Sequence, residues 1–145
     1  MSNIQEHLIP QHKTCDDHFV KAEKAATAGA WPEVEKYFSA FLKEMKAHFS
    51  REEEVLFPEI EKFIGSGMGP TVIMRDEHEQ MRGLFDELSL ALEKKDSGSY
   101  LGATETLMIL MQQHNMKEEN ILYSMADNFL ASNSGDVIAR MQSIH

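Results

Sequence analysis

The stretch HFSREEEVLFPEIEKF occupies residues 48–63, and a similar stretch, HNMKEENILYSMADNF, occupies residues 114–129. Each begins with a histidine and carries two glutamates at the fourth and fifth positions after it. Each then continues with a leucine, an aromatic residue and a closing phenylalanine. The two stretches are offset by 66 residues in a chain of 145. This repetition predicts a fold built from two similar halves.

The regions around the repeat have the composition and periodicity of helices. Helix formers and a spacing of 3.6 residues dominate, whereas β-branched clusters and strict alternation are scarce. The predicted helices are about 4–28, 33–64, 71–94 and 100–131, separated by Gly29 with Pro32, by GSGMGP (65–70) and by DSGS (96–99). Pro58 should kink the second of them. We predict an all-α, antiparallel up-down-up-down four-helix bundle. Residues 1–145 should form one domain with its core at about 4–131, and the tail, 132–145, should pack loosely or form a fifth helical segment.

The offset of 66 residues also relates the first and third predicted helices. It pairs His12 with His78 and Phe19 with Phe85. The first helix therefore corresponds to the third, and the second to the fourth. We predict two helix hairpins related by a pseudo-two-fold axis.

The composition indicates which kinds of binding partner and which cellular compartment are expected for this protein. The formal net charge of −10 disfavours nucleic acid and anionic membrane surfaces, which attract basic proteins. Cys15 is the only cysteine, so no intramolecular disulfide forms and a reducing compartment is expected. The first residues lack the pattern of a secretory signal, and no apolar run approaches the roughly 20 residues of a membrane span. These features predict a cytoplasmic protein.

A set of polar residues lies on the apolar faces of the predicted helices. Residues four apart in an α-helix share a face, so each repeated histidine points the same way as the first glutamate after it. Four histidines and two glutamates should converge inside the bundle: His12, His48, Glu52, His78, His114 and Glu118. No Lys or Arg lies on these faces, and an uncompensated buried carboxylate costs several kcal/mol. A buried polar network without metal is the alternative, but metal binding explains the set better.

The donor types indicate which metals would fit. Imidazole with carboxylate suits iron, zinc, manganese or copper. Two glutamates from opposite helices can bridge two metals about 3.5–4 Å apart. We therefore expect two metal ions, with room for a hydroxide or oxo bridge. Six protein ligands do not saturate two six-coordinate ions, so at least one position should remain open.

Three further residues near this set need to be assigned, one as a rival metal ligand and two as possible hydrogen-bond partners of the imidazoles. His18 is the rival of His12, but it lies about 120° round the helix and its offset partner is Leu84. Glu53 and Glu119 point about 140° away from the histidines of their own helices. They are expected to be solvated or to orient imidazoles through the free ring N–H.

The sequence resembles the hemerythrin-like, or HHE cation-binding, family over about residues 8–130. The resemblance rests on QHKTCD (11–16), HFSREEEVLFPEIE (48–61), GPTVIMRDEHEQMR (69–82) and HNMKEENILY (114–123). It implies that the six residues are ligands of a non-haem di-iron centre. Family members bind dioxygen, sense oxygen or redox state, handle iron, or repair iron–sulfur centres.

Met74 separates this chain from the oxygen carriers of that family, which have a histidine four residues before the position of His78. The four-His, two-Glu pattern resembles the repair-type and sensor-type members instead. The expected function is therefore binding of dioxygen or a related small ligand in oxygen or redox sensing or in iron handling. The alternative is a di-iron redox enzyme, or an iron–sulfur cluster repair factor, that acts on nitric oxide or peroxide. Neither nucleic acid nor membrane is expected as a partner.

Overall fold

The computed structural model describes residues 3–65, 67 and 69–145. Within these residues the chain is helical and contains no strand, which confirms the all-α prediction. The elements in chain order are α1 (Ile4–Thr27), α2 (Trp31–Arg51), π1 (Glu52–Leu56), α3 (Phe57–Ile64), α4 (Pro70–Lys94), α5 (Ser97–Lys117), π2 (Glu118–Leu122), α6 (Tyr123–Phe129) and α7 (Ser134–Gln142). Helix α1 packs on α2 and α4 packs on α5, and the two hairpins meet through α1 with α5 and α2 with α4. The result is the predicted four-helix bundle.

The start of α5 differs from its predicted position for an identifiable reason. The side chain of Asp96 accepts a hydrogen bond from the backbone N–H of Ser99. This N-cap starts α5 at Ser97, inside the DSGS segment that was predicted to be a break. In the predicted loop 65–70, Ser66 and Met68 lie outside the described residues, and α4 starts at Pro70.

The second and fourth predicted helices are not continuous α-helices, because each contains one π-helical segment. The N–H of Phe57 bonds to the carbonyl of Glu52, and the N–H of Tyr123 bonds to that of Glu118, in each case five residues back. Pro58 follows the first segment, but the equivalent position in the second is Ser124. The π-turn therefore belongs to the repeat and not to the proline alone. Such turns occur frequently at functional sites.

The core consists of two hydrophobic clusters with a polar layer between them. One cluster lies at the end of the bundle that holds the α1–α2 and α4–α5 connections, and it includes Phe19, Phe41 and Phe85. The other includes Leu8, Leu56 and Leu122. On each of the four long helical stretches the buried histidine lies between a residue of the first cluster and a residue of the second: Cys15 and Leu8, Met45 and Val55, Met81 and Met74, Met111 and Leu122. Both faces of the polar layer are thus closed by apolar side chains.

The C-terminal segment forms helix α7, which packs against π1. Val137 and Met141 are fully buried in the second hydrophobic cluster. Arg140 bonds to the carboxylate of Glu59 at 2.7 Å. Of the two expectations for the tail, the fifth helical segment is therefore the one observed. No helix in the described part of the chain is long and apolar enough to cross a membrane.

The burial of Met141 predicts that α7 contributes to global stability. Met141→Ala should lower the free energy of unfolding by about 2–5 kcal/mol, because it leaves a cavity under the second hydrophobic cluster. Its exposed neighbour provides the control, since Gln142→Ala should change stability by less than about 0.5 kcal/mol. Urea unfolding followed by circular dichroism measures both. Equal stability of the two variants would show that α7 does not contribute to the core.

Candidate metal centre

The structure brings all six residues of the predicted set together in the polar layer. They are buried to the same degree, with at most 6% of any one of them exposed. They form two groups in which the potential donor atoms lie within 4.8 Å of one another. The first, called here the four-residue group, is Glu52, His78, His114 and Glu118. The second, called the three-residue group, is His12, His48 and Glu118, so that Glu118 belongs to both.

The Nε2 atom of every histidine in the layer faces a carboxylate. Glu52 Oε1 lies 3.4 Å from His48 Nε2 and 3.2 Å from His78 Nε2. Glu118 Oε1 lies 3.0 Å from His12 Nε2, and its Oε2 lies 3.2 Å from His114 Nε2. Each glutamate therefore reaches one histidine of each group. Glu118, which belongs to both groups, has the position expected of a bridging ligand, and Glu52 lies closer to His78 than to His48.

The Nδ1 atoms point outward, and each bonds to an oxygen on a neighbouring helix. His12 Nδ1 lies 2.7 Å from Glu119 Oε2, and His78 Nδ1 lies 2.5 Å from Glu53 Oε2. The other two contacts are 2.8 Å each, from His48 Nδ1 to Gln11 Oε1 and from His114 Nδ1 to Glu77 Oε1. Carboxylate and amide oxygens only accept hydrogen bonds, so each Nδ1 carries the proton. Such outer contacts fix the ring orientation and the tautomer of metal-binding histidines.

This tautomer leaves the Nε2 lone pairs facing carboxylate lone pairs. Among the described residues, four buried atoms of the layer have no hydrogen-bond partner: Glu52 Oε1, His78 Nε2, His114 Nε2 and Glu118 Oε2. All four belong to the four-residue group. Lone pairs on both sides of a buried gap require a cation or a proton between them. The donor set of imidazole nitrogen and carboxylate oxygen fits a first-row divalent metal.

The pKa values show how strongly the layer attracts positive charge. Burial lowers the pKa of His12, but hydrogen bonds to Glu118 and Glu119 outweigh it and raise the pKa to about 9. Burial acts in the same direction on His114, and the carboxylate of Glu118 again outweighs it and raises the pKa to about 9. Burial raises the pKa of Glu118, but His114 and the other neighbours hold it well below its usual value. Protons therefore occupy the positions of the cation when no metal is bound.

Tyr123 is the one buried hydroxyl in contact with the layer among the described residues. Its oxygen lies 2.7 Å from Glu52 Oε2 and 3.0 Å from Glu118 Oε1. It also lies 3.1 Å from His12 Nε2, on the side of the three-residue group. Burial, together with the charges of Glu118 and Glu52, raises the pKa of Tyr123 well above 10, so it keeps its proton. The equivalent residue in the other half is Phe57, whose ring stacks on His78 at 5.6 Å.

The alternatives left open by the sequence have definite positions. His18 is half-buried and belongs to neither group, whereas His12 belongs to one. Glu53 and Glu119 lie outside the layer and orient His78 and His12, in agreement with the second of their two expected roles. Met74 packs in the second hydrophobic cluster.

Sequence reasoning missed two outer contacts and one consequence of the π-turn. Gln11 and Glu77 each precede a histidine by one residue and are related by the offset of 66, a signal that the repeat contains. The contact of Glu118 with Tyr123 joins residues five apart, which an α-helix places about 140° from each other. The π-turn brings them to one face. No feature of the sequence pattern predicts that turn.

The amino-acid sequence matches one protein family and is similar to several known proteins. The Hemerythrin HHE cation binding domain matches residues 3–126, and α7 lies beyond that match. The iron-sulfur cluster repair protein YtfE of Escherichia coli O81 (strain ED1a) is 30% identical over 101 residues, which cover 63% of this chain and 46% of that protein. The same protein of Salmonella paratyphi B is 29% identical with the same coverage. No solved structure matches.

A protein named DNA nickase, from Nostoc sp. (strain PCC 7120), is 25% identical over 130 residues. The match covers 90% of this chain but 35% of that protein. The chain thus spans less than half the length of these curated relatives, and the absence of a nucleic acid partner stays a prediction. The family match covers most of the chain and includes all six residues of the polar layer. This chain therefore belongs to the hemerythrin HHE cation-binding family.

Proposed function

We propose that this chain is a non-haem di-iron protein that binds dioxygen or a related small ligand, in oxygen or redox sensing or in iron handling. The observation that carries the proposal is the orientation of the four histidines. Every Nδ1 is bonded outward, and every Nε2 faces one of two buried carboxylates. A divalent metal ion would replace the protons that occupy these gaps in the metal-free chain.

The two groups suggest how the ligands are shared. His78 and His114 would hold one iron together with Glu52 and Glu118. His12 and His48 would hold the other, again with Glu118. When bound, the irons supply Lewis-acid and one-electron redox chemistry. The three-residue group has fewer protein donors, so the exchangeable position is expected there.

The surrounding residues would control what reaches that position. The ring of Phe49 stacks on His78 with centroids 3.8 Å apart, and the two hydrophobic clusters cover the layer from both sides. These side chains exclude water from the centre. The Tyr123 hydroxyl keeps its proton and donates it to Glu52 Oε2 at 2.7 Å, so it would have to give up this bond to donate to an oxygen atom of a small ligand.

A second candidate function, repair of iron–sulfur clusters, is favoured by the names of the YtfE relatives. The chain spans 46% of the relative from E. coli O81, so activity of the whole relative does not transfer with the likeness. The two candidates differ in the fate of the iron. A ligand-binding centre keeps its iron and changes its visible spectrum reversibly when dioxygen is added and removed. A repair factor loses iron to an iron–sulfur protein whose cluster lacks one iron.

Metal analysis of matched variants tests the ligand assignment. The wild type should contain close to two metal ions per chain, mainly iron. Glu118→Ala should lose most of this metal, because it removes the carboxylate shared by both groups. Glu119→Ala removes only the outer contact to His12 Nδ1 and should lower affinity by about 10–100-fold while keeping metal at saturating iron. Full iron content in Glu118→Ala would contradict the assignment, and one or no metal in iron-replete wild type would contradict the di-iron proposal.

The raised pKa values of His12 and His114 predict the pH dependence of the metal-free chain. Their pKa values are about 9 in the folded chain and about 6.5 when unfolded, so their stabilising charge is complete below pH 6.5 and is lost as pH rises toward 9. After chelation of metal, the free energy of unfolding should fall between pH 6.5 and 9 by an amount on the order of 3 kcal/mol for each of the two groups. Added iron(II) should bind more tightly over the same interval and release protons.

Urea unfolding of the chelated chain at several pH values measures this loss. His114→Gln should reduce the pH dependence, because it removes one of the two groups. His18→Gln, outside the layer, should leave it unchanged and serves as the control. Stability that stays constant or increases from pH 6.5 to 9 would contradict the prediction.

A further inference from the structure

The outer contacts of the polar layer follow the repeat with one exception. Glu53 and Glu119 are equivalent under the offset of 66, and they accept the Nδ1–H of His78 and His12. The residues that serve His48 and His114 are also equivalent in position but differ in type, because one is Gln11 and the other is Glu77. The two halves therefore differ by one negative charge next to a predicted ligand.

The orientation of Gln11 is determined by contacts on both ends of its amide. Its Oε1 accepts from His48 Nδ1 at 2.8 Å and from Arg51 at 2.9 Å. Its Nε2 donates to the backbone carbonyl of His7 at 3.2 Å. Arg51 is itself held by the carbonyl of Ile144 at 3.0 Å. His48 thus donates to a neutral amide oxygen that a guanidinium has already polarised.

The equivalent contacts in the other half carry a full anion. Glu77 accepts from His114 Nδ1 at 2.8 Å through one oxygen and pairs with Lys117 through the other. Lys117 is the equivalent of Arg51 under the offset of 66. The cation is therefore present in both halves, and the carboxylate in one. His12 and His78 both donate their Nδ1–H to glutamates. The difference between the two halves is therefore in the group that accepts the Nδ1–H, which is an amide for His48 and a carboxylate for His114.

We infer that Gln11 makes the metal position at His12 and His48 the weaker of two unequal positions, so that it fills second and exchanges its metal first. This inference rests on the two-metal proposal above. A carboxylate that accepts the Nδ1–H of an imidazole increases electron donation from Nε2, and a neutral amide does so much less. Glu77 balances the charge of Lys117 in one half, whereas the charge of Arg51 next to Gln11 is not balanced by that residue and disfavours a cation at His48. The three-residue group also offers fewer protein donors than the four-residue group.

The chain offers an isosteric exchange that tests this role of Gln11 and Glu77 as positioning residues. Gln11→Glu gives both halves a carboxylate and should tighten the weaker binding step about tenfold. Glu77→Gln gives both halves an amide and should weaken the tighter step about tenfold. The double exchange should move the visible spectrum of the first bound ion from one position to the other. Gln80→Glu adds the same charge at an exposed site and should change neither step.

Anaerobic titration with cobalt(II) provides the measurement, because the visible bands of the bound ion report each step separately from folding. The wild type should show two steps, and all four variants should keep their helical circular dichroism. Two equal steps in the wild type, or steps that do not respond to the exchanges, would overturn the inference and leave the two-metal proposal standing. One ion in the wild type with a second only in Gln11→Glu would contradict two-metal occupancy and support the inference. Failure of every variant to bind more than one ion would overturn both.

Discussion

The burial of two carboxylates against four imidazole nitrogens is the constraint on which the rest of this structure depends. Glu52 and Glu118 are completely buried, and desolvation of such groups costs several kcal/mol each unless positive charge is nearby. The described part of the bundle places no Lys or Arg against either carboxylate. Positive charge therefore comes from protons on the histidines or from metal, and the two compete for the same nitrogen atoms. Metal binding and protonation are consequently linked throughout the centre.

The rest of the fold maintains this charged layer. Apolar clusters above and below it keep water out, and α7 extends one of them beyond the part of the chain that matches the family. The outer carboxylates prevent the imidazoles from turning. The two π-turns also contribute to this layer. The second of them allows Glu118 and Tyr123, five residues apart, to point into one space without a break in the helix.

Repetition and departure from repetition have different consequences in this chain. The repeated residues build a symmetrical bundle in which each half supplies two histidines and one central glutamate. The departures make the two sides of the layer chemically different. Tyr123 provides a hydroxyl where the other half has Phe57, and Gln11 provides a neutral oxygen where the other half has Glu77. Both polar departures act on the His12 and His48 side, which is also the side with fewer protein donors.

The helical class, the two-half organisation and the inward position of the six residues could be predicted from the amino-acid sequence alone. These features depend on periodicity within one helix, since a spacing of four residues places His48 and Glu52 on one face whatever the neighbouring helices do. The sequence also favoured His12 over His18 as the histidine that continues the apolar face of the first helix. The offset of 66 residues added the correspondence between helices, because equal spacing in equivalent helices gives equal depth in the bundle.

The contacts between residues of different helices could not be predicted from the sequence and are seen in the three-dimensional structure. Each such contact depends on the relative height and rotation of two packed helices, and the residue pattern of a single helix contains neither quantity. The examples are Glu119 with His12, Glu53 with His78 and Gln11 with His48. The π-turns were not predicted from the sequence for a related reason. A shift of one hydrogen bond from the fourth to the fifth residue is a small local change that packing around the charged layer stabilises. Helix α7 docks because buried Val137 and Met141 find a hydrophobic surface that exists only after the bundle has formed.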